Sequence, residues 1–197
     1  VKFIDISRDM LSTPPYPGNP ETVIRPVSRI EDGGASNTTL ISACVHTGTH
    51  VDAPLHFLEY GISVDKLPLD CFIGPCTVAE VKPGPITGEW VDNYFPRLCQ
   101  RVLLKSGGRA WFMDSAAEAA ADLGIKLIGT DAVSIGFHGS QIKPHKAFLS
   151  REIAILENLF LDDVEPGDYF LAAQPVKMGG IEAAPARAVL ITGSCLY

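Results

Sequence analysis

Short strand-like apolar runs bounded by turn residues recur along this chain, and helical spacing is rarer. Residues 2–7 set Phe3, Ile4 and Ile6 among polar neighbours and predict a short strand. Residues 22–30 and 38–45 are rich in strand formers, and the Glu31-Asp32-Gly33-Gly34 turn between them predicts a hairpin. Further strands are expected over 77–81, 101–105, 153–157, 169–173 and 188–192, with one or two more in 127–135, broken at Gly129. Residues 115–123 form the clearest helix. There, Ser115 and Glu118 make a capping box, alanines fill the body and Gly124 stops it. Further helical stretches are expected over 88–98 and 144–151, the latter with Pro144 at its first position, and a helical turn over 64–69. Lys82-Pro83-Gly84-Pro85 and Gly107-Gly108 read as turns. With no repeat and no linker, this pattern predicts one α/β domain over 1–197, built on a mixed, barrel-like sheet.

The chemistry is concentrated in one stretch. Residues 46–56 hold three of the five histidines, and His46, His50, Asp52 and His56 follow one another at gaps of four, two and four. Imidazole and carboxylate are the common ligands of zinc and similar ions. Even gaps put these side chains on one side of an extended chain, whereas a helix would turn Asp52 and His56 away from His46. A straight strand would hold His46 and His50 roughly 13 Å apart, too far to share an ion. The segment must therefore curl, with Gly48 and Pro54 as the means. The expectation is a strand that ends near Val45 and runs into a bent loop carrying the ligands.

Residues elsewhere must complete such a shell. Two histidines remain, His138 and His145, and Glu157 ends the apolar run Ile153-Ala154-Ile155-Leu156, where an uncompensated acid would be costly. Glu152 is the competing acid but precedes that run, and His138, beside Gly139, reads as loop or pocket rim. The segment Ser12-Thr13-Pro14-Pro15-Tyr16-Pro17-Gly18-Asn19-Pro20 is a stiff, extended loop of the kind that carries function.

The motif His-x-Gly-Thr-His-x-Asp-x-Pro-x-His is met at His46, Gly48, Thr49, His50, Asp52, Pro54 and His56. It resembles the signature of the metal-dependent cyclase family, which includes bacterial kynurenine formamidase and isatin hydrolase. His145 and, twelve residues on, Glu157 in its Ile-x-Glu-x-Leu context match the family's downstream motif. Residues 180–190 resemble its final loop and strand, with Glu182-Ala183-Ala184 where acidic-Gly-Ser is usual. The resemblance implies a swivelling β/β/α architecture and a two-metal centre. His46, His50 and Asp52 would hold one ion and His145 the other, with Asp52 and Glu157 bridging. The nitrogen and oxygen donors suit Zn(II), with Mn(II) as the alternative. It further implies that His56 is the acid/base and that Tyr16 faces the substrate. Family members tend to carry an aromatic-Pro-Gly-acidic turn here; kynurenine formamidases usually have Trp at the Tyr16 position, and Asn19 replaces the usual acid. Phe57 and Phe137 are further candidates for an aromatic pocket.

The implied reaction is hydrolysis of a C–N bond in a small molecule. It would be an aryl formamide such as N-formylkynurenine, giving kynurenine and formate in tryptophan catabolism. A lactam or lactone is the alternative, and a metal-binding module without turnover the third reading. Homo-oligomers are implied as well, since neighbouring subunits often complete active-site loops in this family. A net charge of −7 with sixteen scattered basic residues argues against a nucleic-acid surface. No apolar run reaches the ~20 residues of a membrane span, and the N-terminal residues lack a signal pattern. The five cysteines form no CxxC pair and read mostly as buried free thiols, which predicts a reducing cytoplasm.

Overall fold

The computed structural model describes residues 1–193, so Cys195 lies outside the described residues. The chain begins with strands β1 (Lys2–Asp5), β2 (Val23–Ser28), β3 (Thr38–Ser42), β4 (His50–Asp52), β5 (Ile73–Glu80) and β6 (Gly84–Ile86). Helix α1 (Gly88–Tyr94), strands β7 (Arg101–Lys105) and β8 (Ala110–Phe112), and helix α2 (Ser115–Asp122) follow. The last third holds β9 (Leu127–Thr130), α3 (Ile142–Leu149), β10 (Ala154–Glu157), β11 (Gly167–Ala172), β12 (Ala183–Pro185) and β13 (Val189–Thr192).

Nine strands make one curled sheet in the order β1-β13-β11-β5-β7-β9-β10-β4-β12. β5, β7, β9 and β10 run parallel, and the flanking pairs are antiparallel. This is the mixed, barrel-like α/β sheet that the strand pattern predicts. Its parallel centre is buried on both faces, which explains the nearly continuous apolar runs there. Along β7, Leu103 enters one core while Val102 and Leu104 enter the other. On β10, Ala154 and Leu156 face the first core and Ile155 the second, where α2 and α3 pack. The predicted hairpin is β2–β3, standing apart from the main sheet.

Several local expectations change. Gly129 does not break its strand. It pairs with Leu103 on β7 and Leu156 on β10. A side chain there would run into Leu103 and Leu159, so glycine is needed for packing. The cap of α2 is Asp114, whose carboxylate accepts from the Ser115 amide, while the Ser115 hydroxyl accepts from the Gly88 amide. Pro144 occupies the third position of α3, still in the first turn, where its missing N–H costs no helical bond. The 82–85 segment, read as a turn, runs into β6, which pairs in parallel with β8.

Candidate metal centre

The donors assemble where α3 descends on the end of the sheet. β4 lies between β10 and β12, with His50 opposite Glu157 on one side and Pro185 on the other. Directly opposed residues share a face, so His50, Asp52 and Glu157 point together toward the helix layer. Val51, between the two ligand candidates, points the other way into the core. His50 and Asp52 thus sit on a strand, where a bent loop was expected. The bend falls just before it, at Gly48, whose φ is 67°. A Cβ at Gly48 would stand 2.7 Å from the Met10 Cα, so the bend also requires a bare backbone. His46 precedes this bend, and His56 closes a helical turn begun by Pro54.

Asp52 is fully buried and uses its two oxygens differently. Oδ1 lies 2.9 Å from His46 Nδ1 and 3.4 Å from His50 Nε2, while Oδ2 faces His145 Nε2 at 3.6 Å. Glu157 sends Oε1 to His145 Nε2 at 3.1 Å and Oε2 to His50 Nε2 at 3.5 Å. Two donor groups result, His46–His50–Asp52 and Asp52–His145–Glu157, with Asp52 common to both. The Ile135 amide donates to Glu157 Oε1 at 2.7 Å and fixes that carboxylate.

Outer contacts set the imidazole orientations. His50 Nδ1 lies 2.9 Å from the Gly48 carbonyl, and His145 Nδ1 lies 2.7 Å from the Gln141 carbonyl. With Nδ1–H donated outward, Nε2 is the nitrogen that would offer its lone pair to a cation at the centre. Both Asp52 oxygens and His50 Nε2 are buried and lack an aligned hydrogen bond. Buried polar atoms rarely stay unpaired, and here they converge on common space. This donor set fits a divalent cation.

Without a cation the same groups neutralise one another. Burial disfavours charge on His50 and His145, yet Glu157 and Asp52 outweigh it and raise their pKa values to about 9 and about 10. Burial likewise opposes ionisation of Asp52, but the imidazoles of His145, His46 and His50 around it hold it well below the usual carboxylate range. His56 goes the other way. Burial lowers its pKa, Asp52 opposes this, and His46 and His145 add to it.

A cavity of about 310 Å³ opens over the centre, with His56, Phe57, Tyr16 and Asn19 in its wall. The Tyr16 hydroxyl and His138 Nδ1 share a 2.9 Å hydrogen bond, and His138 belongs to neither donor group. Phe137 is not in that wall; it packs on Trp111 with centroids 4.8 Å apart. Glu152 is exposed, on a left-handed residue after α3, outside both donor groups. A further acid meets the cluster. Glu182 Oε1 approaches His46 Nε2 at 3.5 Å, and its sequence signal is its place at the acidic position of the final loop.

A family model described as "Putative cyclase" matches residues 4–136. The chain belongs to the cyclase family. Among curated relatives of this family member is the kynurenine formamidase of Delftia acidovorans, 38% identical over 192 residues that cover 91% of each chain. A solved "Potential Metal-Dependent Hydrolase With Cyclase Activity" is 31% identical with a TM-score of 0.82, covering 96% of both chains. Isatin hydrolase A from Labrenzia aggregata shares the fold, with a TM-score of 0.82 at 19% identity over 98% of this chain and 94% of its own. This cyclase-family chain is a hydrolase, which sets aside the module without turnover.

Proposed function

We propose that this chain hydrolyses an aryl formamide, of which N-formylkynurenine is the type, to the arylamine and formate at a centre of two divalent ions. The sharing of the buried Asp52 between two donor groups carries the reading. His46, His50 and Asp52 would hold one ion and His145 the other, with Asp52 and Glu157 between them. Zn(II) suits these nitrogen and oxygen donors best, with Mn(II) second. Such ions, when bound, polarise a carbonyl and lower the pKa of water.

The chain's own residues do the rest. His56 faces the cavity beside both donor groups, its ring centroid 4.1 Å from that of His46 and 5.9 Å from that of His145. Kept neutral by burial, it takes a proton from the attacking water. It then delivers that proton to the amine nitrogen as the C–N bond breaks. Tyr16 and Phe57 offer ring faces to an aromatic substrate. Likeness to the Delftia acidovorans kynurenine formamidase supports the formamide.

A lactam or lactone is a second reading, which the departures at Tyr16 and Asn19 keep close. The wall offers an amide at Asn19, where a carboxylate would suit the ammonium group of a kynurenine. A homo-oligomer is part of the proposal too. Val23, Ile24, Val27, Leu40 and Ile41 are exposed on the β2–β3 hairpin. A lone hairpin is marginal in water, and apolar patches of this kind mark interfaces. Buried thiols at Cys71, Cys76 and Cys99 suit a reducing cytoplasm. No helix among the described residues is long and apolar enough to cross a membrane.

Metal-loaded protein should be compared on N-formylkynurenine and isatin. A kcat/KM higher for the formamide supports the proposal. Preference for the lactam by about tenfold, roughly 1.4 kcal/mol, overturns the substrate assignment and keeps the centre.

A further inference from the structure

We propose that Glu182 is a positioning residue of the metal centre, holding His46 by its outer nitrogen so that Nδ1 is free for a cation. The inference rests on the reading of His46 as a ligand. Each donor imidazole has one nitrogen turned inward and one turned to an acceptor. For His50 and His145 the acceptor is a carbonyl two or four residues away in the same segment. His46 is built the opposite way round. Its Nδ1 faces Asp52 Oδ1 at 2.9 Å, and its Nε2 faces the Glu182 carboxylate at 3.5 Å.

That arrangement has two physical consequences. A proton held on Nε2 by Glu182 leaves the lone pair on Nδ1, the tautomer a cation at the His46–His50–Asp52 group requires. The negative charge behind the ring also makes Nδ1 a stronger donor, which a neutral carbonyl does less well. His46 needs this more than its partners do. It stands on the turn before Gly48 with 13% of its side chain exposed, against 1% for His50 and 3% for His145.

The fold presents the acid from a fixed backbone. The Ala53 amide donates to the Glu182 carbonyl at 2.8 Å, and Ala183 pairs with Asp52 across β12 and β4. The Val64 amide holds the preceding Ile181 carbonyl at 2.9 Å. One strand pairing therefore sets both Asp52 and the residue that orients His46. Glu182 is 38% exposed, which spares it the cost of burying a charge.

The test is competition of zinc-loaded protein with a chelator, for wild type, Glu182→Ala, Glu182→Gln and His46→Ala. Loss of an outer partner weakens metal binding by about 10–100-fold, and the partly exposed Glu182 belongs at the lower end. Glu182→Ala should bind about tenfold more weakly. Glu182→Gln should recover much of this, because its amide oxygen still accepts from Nε2. The unfolding temperature of the metal-free protein should stay the same in both. Wild-type affinity in Glu182→Ala, with His46→Ala impaired, overturns the positioning role. So does a loss that tracks lowered stability and is not rescued by Gln. Wild-type affinity in His46→Ala refutes the ligand reading itself, and the inference falls with it.

Discussion

The rings of His46 and His56 stack with centroids 4.1 Å apart and planes inclined by 33°. One ring belongs to a donor group and the other to none, although both stand over the same cavity. The division follows from the backbone. His46 is turned inward by the bend at Gly48, while Pro54 starts a helical turn that leaves His56 beside the cluster.

His56→Ala should therefore lower kcat by about 10²–10⁴-fold, the usual contribution of a positioned acid/base, and leave bound metal unchanged. In wild type the acid limb of kcat/KM should have its midpoint below 6.5, since burial lowers the His56 pKa from that value. A pH–rate profile alongside metal analysis checks both.

Asp52→Asn should abolish metal binding at both donor groups, because each depends on an oxygen of that one carboxylate. His145→Ala should spare His46–His50–Asp52 and retain part of the metal. Bound metal per chain, measured on dialysed protein, separates the two variants.

The metal-free protein should lose stability on the alkaline side. His50 and His145 titrate at about 9 and about 10 in the fold, above the 6.5 of an unperturbed imidazole. Their protonated forms stabilise the fold fully below that unperturbed value, and the contribution disappears as pH rises through about 9 to about 10. Metal must displace these protons, so binding near neutrality should release protons and strengthen as pH rises. Unfolding midpoints across this range, and calorimetry in buffers of different ionisation heat, measure the two effects.

Gly129→Ala should destabilise the fold without altering the chemistry. Its Cβ would run into Leu103 Cδ2 and stand 3.0 Å from Leu159 Cδ1, in the core face away from the donors. Overpacking of this kind costs about 1–3 kcal/mol. Denaturant unfolding should show that loss, with kcat of the folded fraction unchanged.

Much of this molecule was legible in its residues because the signals are local. Arg101–Lys105 forms a strand over the predicted span, since an apolar run bounded by polar turns has few other options. The motif from His46 to His56 pointed to a metal, and its even gaps anticipated the shared face of His50 and Asp52. What escaped is decided by distant partners. Ala183–Pro185 has no strand propensity and becomes β12 because β4 offers an unpaired edge, where a proline is tolerated. The Ser115 hydroxyl is claimed by Gly88, twenty-seven residues away, so capping falls to Asp114. Glu182 meets His46 only through the pairing of β12 with β4, which no local pattern announces.

The most direct test is to strip the protein of metal, titrate Zn(II) back, and record bound metal and kynurenine release from N-formylkynurenine together. The account predicts that hydrolysis rises with occupancy, and that His56→Ala fills with metal while staying nearly inactive. Full occupancy without hydrolysis of the formamide, or hydrolysis undiminished in the stripped protein, would contradict it.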